Sequence, residues 1–248
     1  MTRTEKAKAL RALHVPGTPL VVPNAWDVSS ARAIAEAGYP AVATTSVAVA
    51  GALGFKDGHD MPADVAYEAV RRIAAAVDVP VTVDVERGYD VPAAEVAARL
   101  AEAGAAGCNL EDSDPSTARV LDVAEQVEFL SAVRAADADL VINARVDTWI
   151  HGDKSFDDAV ARARAYFDAG ADCVYPIRIP ADRVADFVAA VDGRPVNVAH
   201  GPGSPTPAEL APLGVARVSF GPGLHNIVMK RLKEIVTAMQ DGGSPYRG

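Results

Sequence analysis

PVTVDVERGYDVPAAEVAARLAEAGAAGCNLED, residues 80–112, spells out one complete structural unit in order. PVTVDVE (80–86) is an apolar, β-branched run of strand length, and Ala93 to Ala103 repeats its apolar residues at helical spacing. Gly104 stands where a helix needs a left-handed residue to end, and GCNLED (107–112) opens the next buried run. Strand, helix, glycine, strand is the pattern of a parallel βα unit, because parallel neighbours need a crossover long enough to hold a helix.

The same order repeats on both sides of this stretch. LVVPNA (20–25) precedes Ser29 to Ala37, AVATTS (41–46) precedes Ala63 to Val77, and GCNLED itself leads into Val123 to Ala136. LVINARV (140–146), CVYPIRI (173–179), PVNVAH (195–200) and RVSFGP (217–222) follow. Their helical partners are Phe156 to Ala169, Ala181 to Val191, Pro207 to Leu213 and Leu224 to Met239. EAGYPAV, EAGAAGCNL, DAGADCVYP and PLGVARVSF each place a Gly at a helix end, marking a quasi-repeat. Eight units, with only a short helix at 1–14 and a Gly-rich tail at 241–248 left over, predict one α/β domain over 1–248. Its expected form is a closed (β/α)8 TIM-type barrel, which commonly uses about 250 residues.

Composition agrees and narrows the function. Half of the 248 residues are apolar and 23% are charged, enough for a sizeable core and too apolar for disorder. A formal charge of −9 disfavours nucleic acid and anionic membranes, and no basic patch offsets it. An acidic protein that binds an acidic substrate needs a local Arg or a cation. Cys108 and Cys173 lie in apolar runs without a C-x-x-C partner, so buried thiols in a reducing compartment are expected. The N-terminal stretch is a charged helix without a signal core, and no run approaches about 18 apolar residues, so the expected location is the cytoplasm.

Barrel enzymes build their sites at the C-terminal ends of the strands. The polar residues there are Asn24 and Asp27, then Thr44, Thr45 and Ser46, with Asp57 in the loop beyond. Asp84 and Glu86, Glu111 and Asp112, Asn143, Arg145 and Asp147, Arg178, and Asn197 and His200 complete the set. Asp84 and Glu86 lie two apart on an expected strand and so point the same way. Converging carboxylates repel unless a hard cation such as Mg²⁺ sits between them, and Glu111 and Asp57 are placed to complete its shell. Pairing of Glu86 with Arg87 and a turn capped by Asp84 is the structural alternative.

Arg145 shares its parity with Asn143 and Asp147 in NARVDT, and its fork matches a carboxylate or phosphonate. A salt bridge to Glu111 or Asp112 is the competing reading, compatible with the first. The small TTSVAVAGALGF stretch could offer backbone N–H groups to an anionic oxygen. All six lysines fall in expected helices or loops, against a Schiff-base mechanism, and no P-loop or H-E-x-x-H motif occurs. The Gly-rich turns HGPGSPTP and FGPGLHN lie where many barrels hold phosphate.

PNAWDVSSARAIAEAGYPAVATTS, the LGFKDG loop, PVTVDVERGY, GCNLEDS, INARVDT and PVNVAHGPGSPTPAEL, taken in order from about residue 20 to 240, resemble the isocitrate lyase and phosphoenolpyruvate mutase superfamily. The resemblance implies a barrel enzyme that binds a small 2-oxo or 2-hydroxy acid on Mg²⁺ or Mn²⁺ and makes or breaks a C–C or P–C bond through a pyruvate-type enolate. By position, Asp84 is similar to the direct metal ligand, with Asp57, Glu86 and Glu111 holding its waters. The implied catalytic set is Arg145, Asp57, Glu111 and His200. Substrate contacts would come from Thr45, Ser46, Val47, Ala48, Arg145 and Asn197.

Departures bear on the subfamily. The K-[KR]-C-G-H loop of isocitrate and methylisocitrate lyases is replaced by SDPSTARVLDV, and the Lys and Asn of the mutase gating loop are missing too. Glu86 stands where the lyases commonly have Asp, and the chain is short after residue 240, where larger members extend a helix swapped into a neighbour. The expectation is a Mg²⁺-dependent lyase or hydrolase, homo-oligomeric as a dimer or tetramer, with His200, Ser113 and Thr117 as candidate proton carriers. A mutase, a phosphate-binding isomerase or aldolase barrel, and a vestigial metabolite-binding barrel are the alternatives.

Overall fold

The computed structural model describes residues 1–58 and 60–246. His59, beside the LGFKDG loop, and residues 247 and 248 of the expected tail lie outside the described residues. In chain order the elements begin with α1 (Arg3–Ala12), β1 (Leu20–Val22), β2 (Asn24–Ala25), α2 (Val28–Glu36), β3 (Val42–Thr44), α3 (Ser46–Leu53), α4 (Ala63–Ala75) and β4 (Val81–Asp84). Next come α5 (Ala93–Glu102), β5 (Gly107–Leu110), β6 (Ser113–Asp114), β7 (Arg119–Val120), α6 (Val123–Ala136), β8 (Val141–Val146) and α7 (Phe156–Asp168). The last are β9 (Cys173–Pro176), α8 (Val184–Ala190), β10 (Asn197–Ala199), α9 (Pro207–Leu210), β11 (Arg217–Ser219) and α10 (Gly223–Gln240).

Two parallel sheets, β2-β3-β4-β5-β8-β9 and β1-β11-β10, join into one ring. β1 and β2 are one chain stretch interrupted at Pro23, and a parallel bridge from Val174 to Val196 links β9 to β10. The result is the closed eight-stranded barrel that the eight sequence units predict. Gly38, Gly104, Gly170 and Gly214 all take positive φ at the ends of their units. Asp27 and Ser155 cap α2 and α7 through their side chains, whereas Pro62 takes the cap position of α4.

Helix α1 closes the bottom. Leu10 packs with Leu20, Val22, Ala41, Ala43 and Val141. The fit is close: a Cβ on Gly107 would stand 2.7 Å from the Val141 carbonyl and 2.9 Å from Leu10. Arg11 and Arg134 clamp Asp172 at the same end, at 2.7 and 2.6 Å. With the bottom sealed, the strands open only at their C-terminal ends.

Three local structures differ from the sequence reading. AVATTS ends as a strand at Thr44, and Ser46 begins α3, which buries Ser46, Ala48, Val49 and Ala50. Strand β4 stops at Asp84, and Glu86 lies beyond it with φ 52°, so strand alternation does not bring the two carboxylates together. SDPSTARVLDV folds back as the antiparallel pair β6 and β7, its turn tied by Asp114 accepting from the Ser116 and Thr117 amides.

Candidate active site

At the open end lies a cavity of about 810 Å³, reached by Val47, Asp57, Glu86, Glu111, Ser113, Arg145, Tyr175, Arg178 and His200. Residues from six different strand ends and loops converge there because each strand delivers one or two polar groups to the same level. The turns at 200–204 and 220–223 form part of the same wall.

The acidic side is built by β4 and β5. Asp84 ends β4, its amide donating to Thr44 Oγ1 at 3.0 Å. The turn after it brings the Glu86 amide to Asp84 Oδ1 at 3.2 Å, and the buried Glu86 carboxylate accepts from the Gly58 amide at 3.2 Å. That contact carries the 53–58 loop, with Asp57, onto the cavity. Glu111 follows β5, its amide bonded to the Glu86 carbonyl at 3.0 Å.

These charges act on one another. Burial pushes the Asp84 carboxyl up, Arg145 pulls it back, and Asp57 adds to the rise. Glu111 is driven well above the usual carboxylate range by burial, against the pull of Arg145, and then by Asp84, Asp147 and Glu86. Buried Tyr89 is likewise held well above its ordinary value, with Glu86, Asp84 and Asp57 all contributing after burial.

Such a cluster suits a divalent cation, which would remove the repulsion. Among the described residues no three Asp, Glu, His or Cys side chains form a ready cage. Mg²⁺ does not require one: it is commonly held by one or two carboxylates while keeping several waters. Asp84 at the strand end, with Glu86, Glu111 and Asp57 around it, is a donor set of that open, all-oxygen kind.

Arg145 on β8 faces the acids. Its guanidinium forks onto Asp147, Nε to Oδ1 at 2.8 Å and Nη2 to Oδ2 at 3.0 Å, and Nη1 donates to Glu111. Burial works against the Arg145 charge, but Asp147, Glu111 and Asp84 outweigh it and hold the group charged. The salt bridge to Glu111 therefore forms and the one to Asp112 does not; Asp112 binds the Asp147 amide, Arg162 and Tyr166 instead. Two acceptors occupy three of the five N–H groups, leaving the others for a ligand oxygen.

The third component is the start of α3. Thr45 occupies the N-cap without a side-chain cap bond, and the first intrahelical acceptance is by the Thr45 carbonyl from the Val49 amide. The Ser46, Val47 and Ala48 amides thus precede the helical ladder at its positive end, a site suited to a carboxylate. Val47, 44% exposed, lines the cavity, while Thr45, Ser46 and Ala48 are buried behind it.

A negative cluster, an arginine fixed beside it and a helix N-terminus now share one cavity at the open end of a parallel barrel. The family model for phosphoenolpyruvate phosphomutase matches residues 10–240. The chain belongs to that family. A Burkholderia cenocepacia crystal structure provisionally named a phosphonomutase is 42% identical, with TM-score 0.88, covering 94% of this chain and 99% of that one. A Corynebacterium glutamicum protein provisionally named 2-methylisocitrate lyase 2 is 38% identical over 203 residues, 76% of this chain and 65% of its own length. Oxaloacetate acetylhydrolase in complex with oxalate has TM-score 0.89 at 23% identity, over 99% of this chain and 90% of its own, a likeness of fold.

Within this phosphomutase-family barrel the remaining expected residues divide. Half-buried His200 reaches the cavity, with Nδ1 bonded to the Pro205 carbonyl at 3.0 Å and its ring edge-on to Phe220. Ser113 lines it too, but its hydroxyl is spent on Asp147 Oδ2 at 2.5 Å. Asn197 is fully buried in the barrel interior, donating to Ser219 Oγ at 3.1 Å rather than lining the cavity. Thr117 is exposed on the hairpin turn and does not line the cavity, although its neighbour Ala118 does. Among the described residues no lysine lies on a barrel strand. Sequence reasoning passed over Tyr175, the penultimate residue of β9, which lines the cavity; an aromatic near a strand end was the available signal.

Proposed function

We propose that this chain is a Mg²⁺- or Mn²⁺-dependent lyase or hydrolase that cleaves a C–C or P–C bond of a small 2-oxo or 2-hydroxy acid. The observation that carries this reading is the meeting of Asp57, Glu86 and Glu111 with Arg145 and the α3 N-terminus in one cavity, Asp84 not lining it but interacting with Arg145 and Asp57, which do. A bound cation would supply Lewis-acid neutralisation of the oxyanion that develops as the bond breaks.

The α3 amides and the free N–H groups of Arg145 would hold and orient the substrate carboxylate. As electrons move onto the pyruvate-type enolate, the Arg145 charge, already fixed by Asp147, gains most where the charge develops. Ile150, Ile177, Ile179 and Phe220 close the wall and limit water around the reacting atoms. Glu111, whose carboxyl is held well above its ordinary range, and His200, whose Nδ1 donates to the Pro205 carbonyl and leaves Nε2 as the acceptor nitrogen, are the groups available to move a proton.

Identity of 42% to the provisionally named phosphonomutase favours a phosphono substrate as the second reading. The short β6–β7 hairpin, in place of a mutase gating loop, favours cleavage. Turnover of oxaloacetate, phosphonopyruvate and 2,3-dimethylmalate with Mg²⁺, followed by NMR for released pyruvate or oxalate, distinguishes them. Cleavage that disappears in Asp84→Ala supports the reading; no turnover of any acid sinks it.

The exposed face of α10 supports an assembly of several copies. None of its 18 residues is buried, and Ile227, Val228, Met229, Leu232, Val236 and Met239 are 46–66% exposed. Monomers rarely leave such a stripe in water. A second copy of the chain covering it would give a homo-oligomer, dimer or tetramer. Among the described residues no helix is long and apolar enough to cross a membrane, and a cytoplasmic site of action fits the two buried thiols.

A further inference from the structure

We propose that Arg217 is a positioning residue for Asp84, acting across the barrel through Asn109; this rests on the reading of Asp84 as the metal-holding carboxylate. In the closed ring β11 and β5 are four strands apart, so they face each other across the lumen. Arg217 is fully buried there, and its Nη2 reaches Asn109 Oδ1 at 3.4 Å. Asn143 Nδ2 donates to the same oxygen at 2.8 Å. Parallel register puts Asp84 beside Asn109 and Asn109 beside Asn143. With its oxygen taken by two donors, Asn109 is left to present its NH₂ on the side of Asp84, its register neighbour on β4.

The two amides alone would not fix this sense. Asn143 Oδ1 has no partner, so both amides could rotate together, Asn109 then donating to Asn143. Their mutual bond would survive, but Asn109 would present its oxygen to the Asp84 carboxylate and repel it. Arg217 breaks the tie because a guanidinium only donates and cannot be reversed. Its Nε and Nη1 have no partner, and among the described residues its one side-chain hydrogen bond is to Asn109. A cation buried without a carboxylate is costly, and the orientation of Asp84 is what this one secures. Groups behind a ligand typically change metal affinity about 10- to 100-fold when removed.

The test is Mn²⁺ affinity, read by electron paramagnetic resonance on the full chain without substrate. Arg217→Met and Arg217→Gln should bind Mn²⁺ at least about tenfold more weakly than wild type, the Gln variant because it restores a reversible amide. Arg217→Lys, which only donates, should recover affinity to within about threefold of wild type. Asn109→Leu should lose as much as Arg217→Met, and the double variant no more than either. Wild-type affinity in Arg217→Met, equal weakness in the Lys and Met variants, or additive losses would each overturn the proposal. Should Arg217→Met not fold, Arg217→Gln and Asn109→Leu decide on the same terms. A wild type that does not bind Mn²⁺ removes the metal reading itself, a failure visible before any variant is compared.

Discussion

Replacing Asp147 by Asn removes one buried charge and leaves the shape of the side chain nearly intact. Asp147 is fully buried and accepts from Arg145 Nε at 2.8 Å, Arg145 Nη2 at 3.0 Å and Ser113 Oγ at 2.5 Å. Breaking a buried ion pair by neutralising one partner costs about 3–5 kcal/mol. The low end applies here, because Asn keeps one acceptor and Glu111 still pairs with Arg145. In a chain of this size a loss of about 3 kcal/mol lowers Tm by roughly 6–12 °C. Freed from its fork, the guanidinium no longer meets the substrate in register, and displacement of about 1 Å is enough to reduce kcat by about 10²-fold. Scanning calorimetry and steady-state turnover read the two effects separately. A variant that melts within about 2 °C of wild type and keeps its kcat would show that Asp147 does not hold Arg145 in place, and the reasoning would fail.

A pH dependence follows from Asp112, whose carboxyl is pushed up to about 6 by burial, with Asp147's charge adding to it, from an ordinary value of 3.8. Because the folded value is the higher one, its proton stabilises the fold fully below about pH 4, and that contribution is lost as pH rises through about 6. Asp112→Asn never ionises, so its Tm relative to wild type should rise between pH 4.5 and 7; a flat or falling difference in paired melts contradicts this. Val47→Asp places a negative charge at the exposed start of α3, where a carboxylate is expected to bind. Oxalate affinity with Mg²⁺ should fall at least about tenfold while Tm holds or rises slightly, since acids at a helix N-terminus stabilise by about 0.3–1 kcal/mol. Unchanged affinity by calorimetry would remove α3 from the site.

The barrel was legible because each βα unit is written locally. PVTVDVE, the helical spacing through Ala93 to Ala103, and Gly104 with its φ of 79° need no distant partner to be read. Helix α3 was not legible: SVAVAGAL is nearly apolar all round, so it shows no alternation between a wet and a dry face. Glu86 was expected on a strand because nothing about Glu announces a φ of 52°. Of the site, Arg145 and Asp147 share a parity that can be counted along NARVDT, and the fork between them follows from it. Arg217 and Asn109 are 108 residues apart and meet only across the closed lumen, so no local pattern pairs them.

Whether this cavity binds an enolate-like dianion through a cation decides its chemistry most directly. Calorimetric titration of oxalate into metal-free protein, with and without Mg²⁺, repeated on Asp84→Ala, measures it. Binding should require both Mg²⁺ and Asp84. Failure of oxalate to bind, or equal binding without Mg²⁺, would contradict the account and favour a phosphate-binding or non-catalytic barrel.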